Sequence, residues 1–186
     1  NKEAGIFAAS VRLTEIWYFI PGIIQSTFFP GLYAHKENIM IYNNKIIKLY
    51  KLMIYFSLFI ILLTILFGKS IIIILFGSSF IDAYEPLKIH IWSILFVSIS
   101  VIRNSKLFAL GLSKLFFQIH LIGAVSNLLL CYILIKNFGI IGASVSTLTS
   151  YILVGYLINI FYKPLNSEFK NINSAFSQLL KKMNFE

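Results

Sequence analysis

The sequence is poor in charged residues and in cysteine. Only 12% of its 186 residues are charged, whereas 58% are hydrophobic. Soluble globular domains carry about 25% charged and about 45–50% apolar residues. The low charge therefore excludes a water-soluble globule, the single Cys131 excludes a disulfide scaffold, and 18 Phe argue against disorder. A helical membrane protein is the class that remains.

Acidic residues are scarce as well. Seven Asp and Glu stand against 16 Lys and Arg, which gives a net charge of +9. On a soluble domain this excess would suggest a nucleic-acid partner, but no stretch supplies a basic face on a soluble fold, so none is expected. Enrichment of Lys and Arg in the cytoplasmic loops of a membrane protein explains the charge better.

Five apolar stretches are each long enough to cross a bilayer, whose core takes about 20 residues per helix. The runs IIIILF and NLLLCYILI lack the alternation of barrel strands. We therefore predict an all-α polytopic bundle with about five spans. The stretches cover residues 5–33, 52–76, 87–110, 115–135 and 139–162.

Two polar segments remain outside the stretches. The apolar residues of segment 34–51 recur near a helical period, which predicts an amphipathic helix in a cytoplasmic loop at the membrane surface. Segment 163–186 is polar with a weaker amphipathic pattern and is predicted to be a cytoplasmic tail. A solvated linker is the alternative for both.

Lys and Arg are divided unequally between alternate loops. Eleven lie in segment 34–51, around the end of the third stretch or in the tail; four lie in the other connections, and Arg12 lies inside the first stretch. This asymmetry predicts a cytoplasmic tail and an outward-facing Asn1. The chain opens on Asn1 with no basic leader and no small-residue cleavage site, so we expect an internal fragment and not a signal peptide.

The first stretch carries two ionisable residues. Arg12 and Glu15 are three residues apart and share a helical face, and Ser26 falls within the same arc of about 80°. An ionisable residue within a span costs at least about 2.5–3.5 kcal/mol, which makes it a functional candidate. An ion pair that only fixes helix packing is the alternative. Arg12 would suit an anionic or phosphate-bearing substrate, and Pro21 would favour a cavity by freeing backbone groups.

Weaker polar stripes mark the later stretches. His90 and Asn104 share an arc in the third stretch, and His120 and Asn127 share one in the fourth. The fifth has a small-residue face that includes Ser146. These stripes either pack helices or line a polar interior. The second stretch has no stripe and is expected to face lipid. The candidate cavity residues are Arg12, Glu15, Ser26, His90, Asn104, His120 and Asn127.

Catalytic constellations are missing from the sequence. Its three His and one Cys have no metal-ligand spacing, and no Gly-rich phosphate loop follows a strand. His90 or His120 could relay protons, although a lone His is more often packed. The outward loops are too short for the active site of a membrane polymerase. We expect no metal, no cofactor and no enzymatic activity.

The opening GIFAASVRLTEIWYFIPGIIQSTFFPGL resembles bacterial polysaccharide flippases, and LFGSSF, LFALGLSK and SNLLLCYILIKNFGIIGASVST continue the resemblance over about residues 5–162. It implies an O-antigen flippase of the multidrug/oligosaccharidyl-lipid/polysaccharide exporter superfamily, whose members have two pseudo-symmetric lobes. This chain resembles the later part of the second lobe, without the N-terminal lobe.

The resemblance implies alternating-access transport of an oligosaccharide on undecaprenyl diphosphate across the bacterial inner membrane. The implied partners are this lipid-linked oligosaccharide, membrane lipids, the missing N-terminal lobe and other polysaccharide assembly proteins. Arg12 would hold the diphosphate or an acidic sugar, and Glu15 would position Arg12 or take up a proton. A multidrug or other lipid-linked substrate exporter, an inactive remnant and a structural membrane protein remain alternatives.

Overall fold

The computed structural model describes residues 2–183, which form helices and connecting turns with no β-strand among them. This confirms the all-α prediction; Asn1 and residues 184–186, included in the predictions for the two termini, lie outside the described residues. The elements are α1 Lys2–Glu15, α2 Phe19–Tyr33, α3 Ile39–Phe76, a 3-10 helix Ser78–Ala83, α4 Tyr84–His90, α5 Ser93–Ala109, α6 Ser113–Ile152, a π-helical turn Leu153–Leu157, α7 Ile158–Phe161, a 3-10 turn Lys163–Leu165 and α8 Asn166–Met183.

Length and hydropathy mark the membrane-crossing helices among the described residues. Two helical segments qualify, α3 and Ser113–Phe161. The bent pair formed by Ser78–His90 and Ser93–Ala109 would be a third span if it crosses as one unit. The structure therefore supports a membrane protein with two or three apolar helices of sufficient length.

The first apolar stretch forms two helices. α1 ends at Glu15 and α2 begins at Phe19, and in the turns between them the amide of Trp17 donates to the carbonyl of Thr14 at 3.1 Å. Pro21 lies in the first turn of α2, where its missing N–H costs no helical hydrogen bond. The helix therefore breaks ahead of the proline, and Arg12 and Ser26 lie on different helices.

α3 is one continuous helix of 38 residues. It begins after Asn38, whose side-chain oxygen accepts from the amide of Ile41 at 3.2 Å. At 1.5 Å per residue it is about 57 Å long, whereas a bilayer core is about 30 Å thick. Residues 39–51 are therefore part of the same helix as the apolar stretch. The whole of α3 is longer than the bilayer core is thick.

The third apolar stretch is bent. α4 ends at His90 and α5 begins at Ser93, and the axis of segment Ser78–His90 differs by 47° from that of α5. A single helical face running from His90 to Asn104 is therefore interrupted by the bend.

α6 folds back on itself at Gly139, whose φ of 54° is favoured only by glycine. Nδ2 of Asn127 lies 3.4 Å from Oγ1 of Thr147, although 20 residues of straight helix span about 30 Å. A Cβ atom at Gly142 would lie 2.2 Å from the carbonyl oxygen of Leu134. The run Ser113–Phe161 is thus two antiparallel limbs, residues 113–138 and 139–161.

The polar tail forms a helix that packs on the bundle. One face of α8 carries Ile172, Ala175 and Leu179, which are buried in the same apolar cluster as Tyr50 of α3. Glu168 on this face is fully buried. α8 therefore joins the hydrophobic core.

Basic residues of α3 and α5 lie against α8. Nζ of Lys51 donates to Gln178 at 3.0 Å, and Nζ of Lys106 donates to Ser167 at 3.0 Å, which brings α3, α5 and α8 together. Lys69 and Lys88, which the sequence pattern places in the other connections, both lie over the ring of Tyr84, 5.3 and 5.1 Å from its centroid. Lys51 of α3 and Lys106 of α5 thus both contact α8.

Candidate functional site

A cavity of about 300 Å³ with several polar lining residues, called the polar cavity below, lies between α5 and the two limbs of α6. Helices exposed to lipid are expected to hide polar groups in such a space, because an unsatisfied polar group in hydrocarbon costs several kcal/mol. Three of the predicted candidates line it: Asn104, His120 and Asn127. The other polar lining residues are Ser100, Thr147, Ser150 and Tyr151.

The lining has the same helical spacing on all three walls. Residues 97, 100, 101 and 104 line it from α5, residues 120, 123, 124 and 127 from the first limb, and residues 147, 150, 151 and 154 from the second. This i, i+3, i+4, i+7 pattern places each set on one helical face. Gly123 brings the limbs close together, since a Cβ there would lie 2.4 Å from Cγ2 of Val154.

Arg103 is buried beside the cavity and orients Asn104. Its Nε and Nη2 donate to Oδ1 of Asn104 at 3.3 and 2.9 Å, and its Nη1 donates to the carbonyl oxygen of Val154 in the π-helical turn. Because Oδ1 of Asn104 is occupied, its Nδ2 is the group that can serve a molecule in the cavity. Gly155 lets this turn approach α5, since a Cβ there would lie 2.8 Å from the carbonyl oxygen of Phe96.

His120 and Asn127 are held by bonds within α6. Nδ1 of His120 lies 2.9 Å from the carbonyl oxygen of Phe116, so the neutral ring carries its proton on Nδ1 and leaves Nε2 as an acceptor. Nδ2 of Asn127 donates to Thr147, and Oδ1 of Asn127 accepts from Sγ of Cys131 at 3.1 Å. The cavity therefore presents amide, imidazole and hydroxyl groups.

Tyr151 connects the cavity with the α1–α2 junction. Its ring meets the ring of Tyr18 edge-on, with the centroids 6.0 Å apart. The hydroxyl of Tyr18 is hydrogen-bonded to the hydroxyl of Ser93 at 2.5 Å, and Ser93 donates to the carbonyl oxygen of His90. One aromatic contact thus joins the α1–α2 junction to the cavity wall.

Arg12, Glu15 and Ser26 lie outside this cavity, on exposed surfaces of α1 and α2. Arg12 and Glu15 form no ion pair with each other or with any other residue in the part of the chain that the structure describes. Ser26 donates to Ile23 of its own helix at 2.9 Å. These three candidates are therefore exposed side chains outside the cavity, two on α1 and one on α2.

His90 belongs to neither group. It is 2% exposed and meets the ring of Phe7 of α1 edge-on, with centroids 6.4 Å apart. Its Nδ1 is buried and has no hydrogen-bond partner within residues 2–183. The bend between α4 and α5 places it against α1 and away from the cavity that Asn104 lines.

Sequence patterns did not predict a role in the site for Arg103 or for the second-limb residues Thr147, Ser150 and Tyr151. By its position in the sequence Arg103 is a basic residue near a loop, but it is fully buried in the last turns of α5. The small-residue stripe through Gly142 and Ser146 identified a buried face of the limb, adjacent to the one that lines the cavity. The shared i, i+3, i+4, i+7 spacing was the signal that could have found the lining.

The helical fold with its apolar exterior and polar cavity defines a multi-pass membrane protein. Comparison of the sequence with known proteins identifies which membrane proteins this chain is similar to. A Shigella flexneri protein named "Putative O-antigen transporter" is 27% identical over 153 residues, covering 82% of this chain and 36% of that protein. A Haloferax volcanii protein named "Probable low-salt glycan biosynthesis flippase Agl15" is 30% identical over 187 residues, covering 96% of this chain and 38% of that protein.

A third relative, an uncharacterized membrane protein from Methanocaldococcus jannaschii, is 41% identical over 75 residues, covering 40% of this chain and 18% of that protein. No protein-family profile and no solved structure matches the chain. The predicted resemblance to flippases of glycan assembly is confirmed. The chain spans little more than a third of the length of the two relatives named for transport or flipping.

Proposed function

We propose that the chain forms the later part of the second lobe of a flippase, which moves undecaprenyl-diphosphate-linked oligosaccharide units across the bacterial inner membrane by alternating access. The likeness to relatives named as an O-antigen transporter and a glycan flippase supports the class of substrate. The observation that carries the proposal is the convergence of Asn104, His120 and Asn127 on one cavity among otherwise apolar helices.

The cavity chemistry suits sugar hydroxyls, which both donate and accept hydrogen bonds. Nδ2 of Asn104 donates, Nε2 of His120 accepts, and the hydroxyl of Tyr151 can do either. The described lining contains no ionised carboxylate or ammonium. Neutral hydrogen bonds are individually modest, so a sugar can bind and leave again, as transport requires.

Arg12 is assigned to the diphosphate or to an acidic sugar. Its guanidinium is exposed and unpaired with Glu15, so its planar donors can take a phosphate bidentately. Glu15, one turn further along α1, is available to take up a proton. The N-terminal lobe would close the space in front of these side chains and of Ser26 on α2.

The proposed membrane arrangement has five spans: α1 with α2, α3, α4 with α5, and the two limbs of α6, the second continuing into α7. α8 and the first turns of α3 lie at the cytoplasmic side with the C-terminus. Two features support this arrangement: the excess of Lys and Arg in the connections at that end, and the contacts among α3, α5 and α8. Arg103 is buried, so it does not count among the loop Lys and Arg that set the orientation.

A multidrug exporter on the same fold is the second candidate. Binding of an organic cation is favoured by a buried carboxylate, and the described lining of the cavity has none. The cavity therefore favours a sugar over a cation.

The test is complementation of a flippase-null strain with the intact gene carrying Arg12→Ala, read out as surface polysaccharide. Loss of a charged hydrogen-bond donor, about 1.5–3 kcal/mol, predicts a transport rate reduced roughly 10- to 100-fold. Lys114→Ala, which removes an exposed cation at the start of α6, is the control. An immunoblot of the membrane fraction checks insertion. Normal polysaccharide from Arg12→Ala rejects the assignment, and organic-cation efflux by the wild type would favour the multidrug exporter.

A further inference from the structure

A second cavity, of about 500 Å³, lies between the last turns of α2 and the first turns of α3. Its walls are mostly apolar. Leu32 and Leu49 are buried at its base, while Phe28 and Leu52 are 54% and 43% exposed. The cavity is thus an open apolar slot at one end of the bundle.

Two lysines line this slot. Lys45 and Lys48 are three residues apart on α3, so their positive charges are neighbours on one helical face. Neither forms an ion pair with a carboxylate in the described part of the chain. Like charges this close repel each other, and an anion between them would remove the repulsion.

His35 holds Lys45 in place. Nδ1 of His35 lies 2.9 Å from the carbonyl oxygen of Gly31, so it carries the proton and donates. Nζ of Lys45 lies 3.2 Å from both ring nitrogens of His35, and of the two only Nε2 is free to accept. The contact ties the ammonium group to the end of α2, at the edge of the slot.

The slot lies where α3 changes from polar to apolar. Lys45, Lys48 and Lys51 precede Leu52, after which α3 is almost continuously apolar as far as Gly68. Such a boundary matches the interface between lipid head groups and hydrocarbon, where lysine side chains reach for phosphates.

The slot also faces away from Ser26 on α2. At 100° per residue, Thr27, Phe28 and Gly31 lie about 100–200° around α2 from Ser26. An occupant of the slot therefore approaches α2 from a different side than a substrate bound at Ser26, and the apolar walls of the slot suit a lipid of the surrounding bilayer.

We propose that this slot is a binding site for an anionic phospholipid of the bilayer. The lipid phosphate lies between Nζ of Lys45 and Nζ of Lys48, and the first part of an acyl chain lies along Phe28 and Leu52. The site does not depend on the transport function proposed above, because none of its lining residues belongs to the polar cavity.

Native mass spectrometry of the intact protein in detergent tests the proposal, with dioleoyl-phosphatidylglycerol and dioleoyl-phosphatidylcholine as probes. The wild type should retain phosphatidylglycerol in preference to phosphatidylcholine. Each lysine near an anionic lipid contributes a factor of about five, so Lys45→Gln combined with Lys48→Gln should weaken retention of phosphatidylglycerol about 25-fold. The matched control is Lys114→Gln combined with Lys136→Gln, which removes the same charge from two exposed sites on α6.

A second pair of variants tests the slot without changing the charge. A Cβ atom at Gly31 meets nothing within 4 Å, so Gly31→Leu should fill the slot and reduce retention of phosphatidylglycerol while both lysines remain. Gly22→Leu enters equally open space on the same helix but outside the slot, and should retain the lipid as the wild type does.

Four results would overturn the proposal: equal retention of the two lipids, unchanged retention in the lysine variant, equal loss in its control, or unchanged retention in Gly31→Leu. Two competition experiments test whether the bound phosphate belongs to a phospholipid or to another ligand. The wild type is incubated with phosphatidylglycerol and an equimolar amount of undecaprenyl diphosphate or inorganic phosphate. If either one displaces phosphatidylglycerol, that competitor and not the phospholipid is the occupant of the slot. No displacement by either supports the phospholipid.

Discussion

Tyr50 and Glu168 are 118 residues apart in the chain and are joined by a buried hydrogen bond of 2.7 Å. The hydroxyl of Tyr50 donates to Oε2 of Glu168, and Nζ of Lys106 donates to Oε1. One carboxylate thus connects α3, α5 and α8. Because Glu168 is fully buried, its charge is tolerated only while both donors are present.

Glu168→Gln should destabilise the protein by about 3 kcal/mol, because removal of one partner leaves the largely buried ammonium of Lys106 unpaired. Denaturant unfolding in detergent, followed by tryptophan fluorescence, measures the free energy. The control is Glu85→Gln, which breaks the exposed pair with Lys88 at 2.8 Å and should cost less than about 1 kcal/mol. Equal losses from the two variants would show that Glu168 does not anchor α8.

Arg103→Lys should lower the free energy of unfolding by about 2 kcal/mol. A lysine cannot reproduce the donors that Arg103 directs to Oδ1 of Asn104 and to the carbonyl of Val154, so a buried acceptor is left without its partner. The same unfolding measurement applies. Arg12→Lys changes an exposed side chain and should stay within about 0.5 kcal/mol of the wild type. A tolerated Arg103→Lys would contradict the bonding described for α5.

Gly142→Ala should destabilise the fold by roughly 1–3 kcal/mol, because the new Cβ would lie 2.2 Å from a backbone oxygen of the other limb of α6. Gly22→Ala enters open space inside a helix and should be neutral or stabilising by up to about 1 kcal/mol. Thermal unfolding of both variants in one detergent gives the comparison. If Gly142→Ala is as stable as Gly22→Ala, the limbs are not as close as the fold-back at Gly139 requires.

Asn127→Leu should reduce surface polysaccharide about tenfold or more in the complementation assay, because it removes a hydrogen-bonding amide from the cavity wall. Asn137→Leu makes the same replacement at an exposed site outside the cavity, where the side chain donates to Ile133 of its own helix. That variant should transport normally. Equal transport by the two variants would remove the cavity from the proposed mechanism.

Helical periodicity predicted part of this candidate site. His120 and Asn127 are seven residues apart, which places them on one face of any helix, and the structure places both on the same cavity wall. The same rule does not work across a bend. His90 and Asn104 share an arc only if residues 87–110 form one straight helix, and the 47° change of direction separates them. Periodicity describes a face of one helix and contains no information about the axis of the next.

Arg103 shows a different limit. From the sequence it is one of several basic residues near the end of an apolar stretch, and loop charge is the usual reason for such residues. Its burial depends on Val154, 51 residues further along, which offers a carbonyl oxygen in the π-helical turn. Whether a charge is solvated or buried depends on which acceptors the packing brings near it, and those acceptors are remote in sequence.

The sequence by itself determined that this is a helical membrane protein, because low charge and long apolar stretches leave no other stable arrangement for the chain. Its motifs also determined the likeness to glycan flippases. Tertiary structure alone decided that α6 turns back at Gly139, that α8 enters the core through Glu168, and that three helical faces enclose a polar cavity. These features depend on contacts between distant residues, whereas composition and periodicity report only what each segment does locally.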